Sequence, residues 1–214
     1  MLIGKTAPDF TATTVMPDNS FKDITLSDYQ GKKVVLFFYP LDFTFVWPSE
    51  LIAFNNRIDD FEKRNTQVLG CSVDSQFSHL RWKEMDVNKG GIGNVKYPLI
   101  SDLNKSISRS YDVLLGTKPA TVLLEDEEIE TTIEGNVTLR GSFLIDEKGL
   151  VRHAILNDLP LGRNIDEMLR MIDALAFHTE HGDVCPANWQ EGKKAMNPSD
   201  DGMRSYMAEE ANNL

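Results

Sequence analysis

The chain holds two cysteines, Cys71 and Cys185, from which neither a metal-type cysteine spacing nor a disulfide framework can be read. On count alone each is a reduced, partly buried thiol. The four histidines, at 79, 153, 178 and 181, form no metal-ligand pair. A denser set of polar and aromatic types lies in Pro40-Leu-Asp-Phe-Thr44-Phe-Val-Trp47-Pro-Ser-Glu50. At its centre Trp47 offers one N–H donor, no acceptor and no nucleophile that ionises near neutral pH. Taken one at a time, the neighbours have bland readings. Thr44 can be a loop or capping residue, Arg140 can reach solvent from a strand edge, and Arg163 can pair with Asp158 or Asp166 at the surface. Cys71, within a strand before Ser72, reads as core.

The elements that must position these residues are legible in part. Lys33-Val-Val-Leu-Phe-Phe-Tyr39 is β-branched and aromatic without alternation, the pattern of a central strand covered on both faces. Leu51, Phe54, Ile58 and Phe61 recur at helical spacing and predict one amphipathic helix over 49–63, with Asn65 as a stop. Pro48 is tolerated only in a first helical turn, so residue 47 lies at or next to that helix's N-terminus. A strand over 66–73 would complete a right-handed parallel crossover. A helix over 77–87, ended by Gly90-Gly-Ile-Gly93, a short strand over 97–100 and a short helix over 105–111 follow. Asp146-Glu-Lys-Gly149 predicts a turn between strands 137–145 and 150–156, and a long helix is expected over 164–178. This order indicates a layered α/β domain. A domain over 1–179 is expected, with a polar tail over 180–214 that docks rather than builds its own core.

The 40–50 segment resembles the peroxiredoxin active-site pattern P-x-x-x-T-x-x-C at every fixed position except the last, where Trp47 stands. Ser72-Val-Asp-Ser75, Leu139-Arg140-Gly141, Asn157-Asp-Leu-Pro-Leu-Gly-Arg163 and His181-Gly-Asp-Val-Cys185-Pro186 match as well, in the family's order. The chain is therefore similar to typical 2-Cys peroxiredoxins of the alkyl hydroperoxide reductase C type. That resemblance implies a thioredoxin-like central mixed sheet flanked by helices, an obligate homodimer and a ring-shaped decamer. It implies thiol-dependent reduction of hydrogen peroxide and alkyl hydroperoxides, with no metal or other cofactor. Position 47 would be the peroxidatic site and Cys185 the resolving cysteine of the partner subunit. Thr44 and Arg140 would act on the peroxide, and Pro40, Glu50 and Arg163 would support them. A flavin-dependent disulfide reductase or a thioredoxin-like donor would restore the thiols.

Three departures qualify this. Trp47 cannot displace a peroxide oxygen, so the chain is expected to be inactive as it stands, whether the tryptophan is a deliberate substitution, a natural loss or a misread codon. A non-catalytic scaffold or holdase that keeps the oligomer is the competing class. The segment 116–136 is longer than the family's, and its acidic run Glu125-Asp-Glu-Glu128 reads as a solvated loop or hairpin. Gly90-Gly-Ile-Gly93 resembles the loop linked to overoxidation sensitivity, yet Tyr206 is followed by Met207 rather than phenylalanine. An indole forced into a thiol's pocket would cost about 1–3 kcal/mol. Unwinding of 43–51 and a weaker decamer are the expected relief.

Composition narrows the partners. A formal charge of −11 without a basic cluster argues against nucleic acid and anionic membranes. Met1 to Phe10 has no unbroken apolar run, and the longest one, Val34 to Phe38, is too short to span a bilayer. A cytoplasmic location is expected.

Overall fold

A computed structural model describes residues 1–44, 47–116, 118–124, 127–133, 135 and 137–213, and their side chains except those of 47, 118–124, 127–133 and 213. Two compact units emerge, Met1–Arg163 and Asn164–Leu214, each described by itself.

In the first unit the strands are β1 (Thr11–Val15), β2 (Phe21–Thr25), β3 (Lys33–Phe38), β4 (Thr66–Ser72), β5 (Leu99–Ser101), β6 (Lys118–Leu124), β7 (Glu127–Ile133), β8 (Arg140–Ile145) and β9 (Val151–Asn157). Seven of them form one mixed sheet in the order β2-β1-β5-β4-β3-β8-β9, while β6 and β7 make a separate antiparallel hairpin. The hairpin alternative for the long 116–136 segment is thus the one adopted by 118–124 and 127–133. Residues 125 and 126, half of the acidic run, lie outside the described residues.

β3 is central: it runs parallel to β4, with Val35 opposite Val68, and antiparallel to β8, with Val35 opposite Leu144. Both its faces are buried, which is why its sequence does not alternate. Leu36 and Phe38 join a cluster with Leu69, Ile107, Tyr111, Phe143 and Val151. On the other face Phe37 stacks on Phe54 at 4.3 Å between centroids and meets Tyr97 edge-on at 5.7 Å. Full burial of a side chain of Phe54's size contributes about 1.5–3 kcal/mol.

The single helix expected over 49–63 is two helices, α1 (Trp47–Asn56) and α2 (Ile58–Lys63). The break is at Arg57 (φ −110°, ψ 10°), after two asparagines of poor helix propensity; the Arg57 N–H bonds to the Phe54 carbonyl, a tighter turn. Leu51, Phe54, Ile58 and Phe61 are buried all the same, because the break preserves the apolar face. α3 (Gln76–Glu84) is capped by Ser75, whose hydroxyl accepts from the Ser78 N–H, and α4 (Ser106–Ser110) follows β5. β8 and β9 form the expected hairpin, and Gly149 takes φ +81° in its turn. β1 and β2 were not anticipated.

In the second unit α5 (Ile165–His181) begins at Asn164, whose side chain accepts from the Asp166 and Glu167 N–H groups, and ends at Gly182 with φ +75°. It runs nearly a turn beyond the expected end at 178. The polar tail contains a further helix, α6 (Asp200–Glu210), capped by Ser199. Among the described residues no helix is long and apolar enough to cross a membrane.

Candidate active site

β3 delivers the chain to buried Tyr39 and Pro40, and the loop 40–44 leads toward the N-terminus of α1. On that loop the Thr44 hydroxyl donates to the Leu41 carbonyl at 2.9 Å, which leaves its oxygen free to accept only. Helical backbone begins at Trp47, so the unwinding expected over 43–51 is not what residues 47–51 adopt. Phe45, Val46 and the Trp47 indole lie outside the described residues. The N-terminus of α1 supplies oriented N–H groups and the positive end of its dipole at position 47.

Behind this helix end sits a buried charge cluster. Glu50, in the first turn of α1, accepts from Arg140 Nη1 on one carboxylate oxygen. Arg163 Nη2 shares that oxygen at 3.0 Å, and Arg163 Nε and its backbone N–H meet the other at 3.0 and 2.8 Å. Arg140 Nε donates to the Leu159 carbonyl at 2.7 Å, and Arg163 Nη1 donates to the Phe38 and Gly141 carbonyls, each at 2.8 Å. The Arg163 guanidinium also lies 5.2 Å from the Phe37 ring centroid. Gly141 lets the strand carry Arg140 this close to the core, since a Cβ there would meet Val113 at 2.7 Å.

Neither arginine has its bland role: Arg140 is fully buried and Arg163 pairs with Glu50. Burial alone would raise the Glu50 carboxyl, but Arg163 above all, then Arg140, outweigh it and hold the carboxyl below its usual range. Among the described contacts two guanidiniums share one carboxylate, in a low-dielectric setting where charge acts strongly. Such a cluster favours a thiolate at the helix end and charge developing on a departing oxygen.

A second buried network underlies the loop. Asp42 accepts from the Tyr39 hydroxyl at 3.0 Å and faces His79 Nδ1 at 2.8 Å, while His79 Nε2 meets the Ile100 carbonyl at 3.1 Å. Asp74 accepts the Asp42 N–H at 2.8 Å. Both ring nitrogens thus face acceptors, an arrangement that suits the imidazolium. Burial pulls the His79 pKa down, yet the Asp42 charge and hydrogen bond, then Asp74, leave it raised. This residue was missed in the sequence, because its side-chain partners Asp42 and Tyr39 are 37 and 40 positions away and only the fold joins them.

The raised value makes a prediction. A folded-state pKa above the unfolded ~6.5 stabilises fully below that pH, and the contribution fades as pH rises through the folded value. The thermal midpoint of the parent should therefore exceed that of His79→Gln most in mild acid, with the gap narrowing toward alkaline pH. Melting curves across that range check it, and a gap that widens with pH would contradict it.

Cys185 lies in the second unit, half-buried, its thiol donating to the Ala174 carbonyl at 3.5 Å. Cys71 is fully buried and burial pushes its thiol well up, in keeping with a core role. Among the described residues no group of three or more potential ligands could hold a metal ion.

A strand-loop-helix N-terminus set over buried arginines, in a thioredoxin-like sheet, is the scaffold of a thiol peroxidase. The AhpC/TSA family model matches residues 3–154, and the model for the C-terminal domain of 1-Cys peroxiredoxin matches 174–206. Peroxiredoxin-1 of Gallus gallus is 48% identical over 97% of this chain and 96% of its own. Alkyl hydroperoxide reductase C of Helicobacter pylori is 48% identical over 98% of both. The reduced 2-Cys peroxiredoxin of Plasmodium vivax superposes with a TM-score of 0.86 at 48% identity, covering 97% of this chain and 99% of that one. The chain belongs to the AhpC/TSA family; it is a peroxiredoxin, and its family is one of peroxidase enzymes.

Proposed function

We propose that this chain is the scaffold of a 2-Cys thiol peroxidase for hydrogen peroxide and small alkyl hydroperoxides, lacking only its nucleophile because Trp47 occupies the peroxidatic position. The buried Glu50–Arg140–Arg163 cluster behind the start of α1 carries the reading, since it sets fixed positive charge where a thiolate and a departing peroxide oxygen would need it. With cysteine at 47, the thiolate sulfur bonds the near peroxide oxygen as the O–O bond breaks. The leaving oxygen takes a proton to become water or an alcohol, and the sulfur becomes a sulfenic acid. Thr44 and Arg140 position the peroxide, and Pro40, Glu50 and Arg163 hold the frame. Cys185, on the tail 180–214 of the partner subunit, then forms the disulfide as the sulfenic oxygen leaves as water. A thioredoxin-like dithiol or a flavin-dependent disulfide reductase returns both thiols. Relatives bear the names Thioredoxin peroxidase (Echinococcus granulosus) and Thioredoxin-dependent peroxide reductase (Drosophila melanogaster), which favours the first donor.

Trp47→Cys is expected to gain peroxide consumption in the presence of a thiol reductant, against none above background for the parent. No gain would sink the assignment. The alternative, a non-catalytic scaffold or holdase, draws on Trp47 itself: a tryptophan codon in the source DNA favours it and a cysteine codon removes it.

β9, the last strand of the sheet, with Leu156 50% exposed, supports a homo-oligomer. Antiparallel pairing with its copy would cover this edge in a homodimer, and five dimers would close a decamer. Sedimentation velocity at micromolar concentration should show no 24.1 kDa monomer. A persistent monomer would contradict the dimer.

A further inference from the structure

The segment Ser72-Val-Asp-Ser75 ends β4 and caps α3, and its aspartate reaches the loop that carries Thr44. One peptide unit joins the two. The amide between Leu41 and Asp42 gives its N–H to Asp74 Oδ2 at 2.8 Å and takes the Thr44 hydroxyl on its carbonyl oxygen at 2.9 Å. Phe43 holds φ +57°, the left-handed bend that returns Thr44 to that carbonyl, and its ring lies 5.8 Å from Trp82. Asp74 is itself fixed. Ser72 Oγ donates to the same Oδ2 at 2.8 Å and accepts the Asp74 N–H at 3.1 Å, while Ser101 Oγ donates to the Asp74 carbonyl at 2.8 Å. On the loop side the Asp42 carboxylate is held by Tyr39 and His79, so the amide cannot turn without disturbing that buried network.

We propose that Asp74 is a positioning residue for Thr44, acting through the Leu41–Asp42 amide; the role rests on the peroxidase reading, in which Thr44 meets the peroxide. A hydroxyl carries one proton and two lone pairs and rotates to suit its neighbours, so a Thr44 without a fixed carbonyl would donate as readily as accept. With its proton committed to Leu41, the oxygen presents only lone pairs, the polarity that receives a peroxide O–H. The carboxylate at one end of the amide polarises the carbonyl at the other, which strengthens that commitment.

Two experiments test this. In the chain as it stands, crystal structures of the parent and D74A are compared: in D74A the amide should turn and the Thr44 hydroxyl leave the Leu41 carbonyl. A Thr44–Leu41 hydrogen bond unchanged in D74A would overturn the proposal. In Trp47→Cys, sulfenic acid formation is timed in a single turnover, with and without T44V. D74A should slow it about tenfold to a hundredfold, as displacement of a positioned group does, and T44V should slow it at least as much. D74A added to T44V should cost no more than about twofold, because the hydroxyl it would place is gone. D74N, which keeps an acceptor oxygen, should lose less than D74A, and if D74A does not fold the same comparisons are read on D74N. Equal losses with and without the Thr44 hydroxyl would mark a structural role alone and overturn the proposal. A Trp47→Cys protein that leaves peroxide untouched sinks the peroxidase reading instead, and the crystal structures still judge the tie between Asp74 and Thr44.

Discussion

Arg140→Gln, made in the Trp47→Cys protein, should lower peroxide consumption by about a hundredfold to a thousandfold, the usual loss when a preorganised donor to developing charge is removed. The expectation rests on geometry rather than on charge alone. Arg140 is fully buried, its Nε fixed on the Leu159 carbonyl and its Nη1 on Glu50. It therefore needs no reorganisation when the O–O bond breaks. Glutamine removes the charge and keeps part of the hydrogen bonding, while Arg163 still pairs with Glu50, so the fold should persist. Arg140→Lys restores the charge without the fork and should recover only part of the rate. Peroxide consumption under saturating reductant, with a melting curve for each variant, checks the claim. A fall in activity matched by a collapse of the fold, or no fall at all, would contradict it.

Glu50→Gln should be the most destabilising change in the site, by about 3–5 kcal/mol, since it strands two buried guanidiniums without their shared anion. Its acid behaviour is also distinctive. Glu50 titrates below its usual range in the folded protein, so its contribution is present above the unfolded carboxylate value of ~4.3 and is lost as pH falls toward the depressed folded value. The parent should lose stability through that acid window by more than Glu50→Gln does, and the two should converge in strong acid. Urea unfolding at a series of pH values measures this. Equal stability of the two proteins at neutral pH would show that the cluster is not an ion-pair unit.

Much of the frame was legible because local pattern and tertiary burial agree. The unalternating run at 33–39 announced a strand buried on both faces, and Leu51, Phe54, Ile58 and Phe61 announced the face that α1 and α2 bury. The break at Arg57 was not legible, since the apolar period continues across it. β1 and β2 escaped notice because they are short and polar, β2 lying at the sheet edge: Thr11, Thr13 and Lys22 carry no apolar period. The tail helix α6 did carry a signal, Ser199 before Asp200 and Asp201, which the flanking polarity concealed.

In the site, sequence motifs brought Thr44, Trp47, Glu50, Arg140 and Arg163 together, but not the reason for their grouping. Glu50 meets Arg140 and Arg163 across separations of 90 and 113 residues, and no local pattern reports that one carboxylate serves both. The Tyr39–Asp42–His79 network was hidden in the same way. Its members read singly as a strand end, a loop acid and a helix histidine, and only burial turns them into the support of the loop.

On the function proposed above, position 47 would be a peroxidatic site that lacks only its sulfur. The most direct measurement adds one equivalent of hydrogen peroxide to Trp47→Cys, quenches free thiols and maps disulfides by mass spectrometry without reduction. A linkage between position 47 and Cys185 of the partner subunit is expected, seen as a covalent dimer, with Cys71 unmodified and the untreated parent unchanged. Peroxide left unconsumed with both thiols free, or a linkage through Cys71, would contradict it.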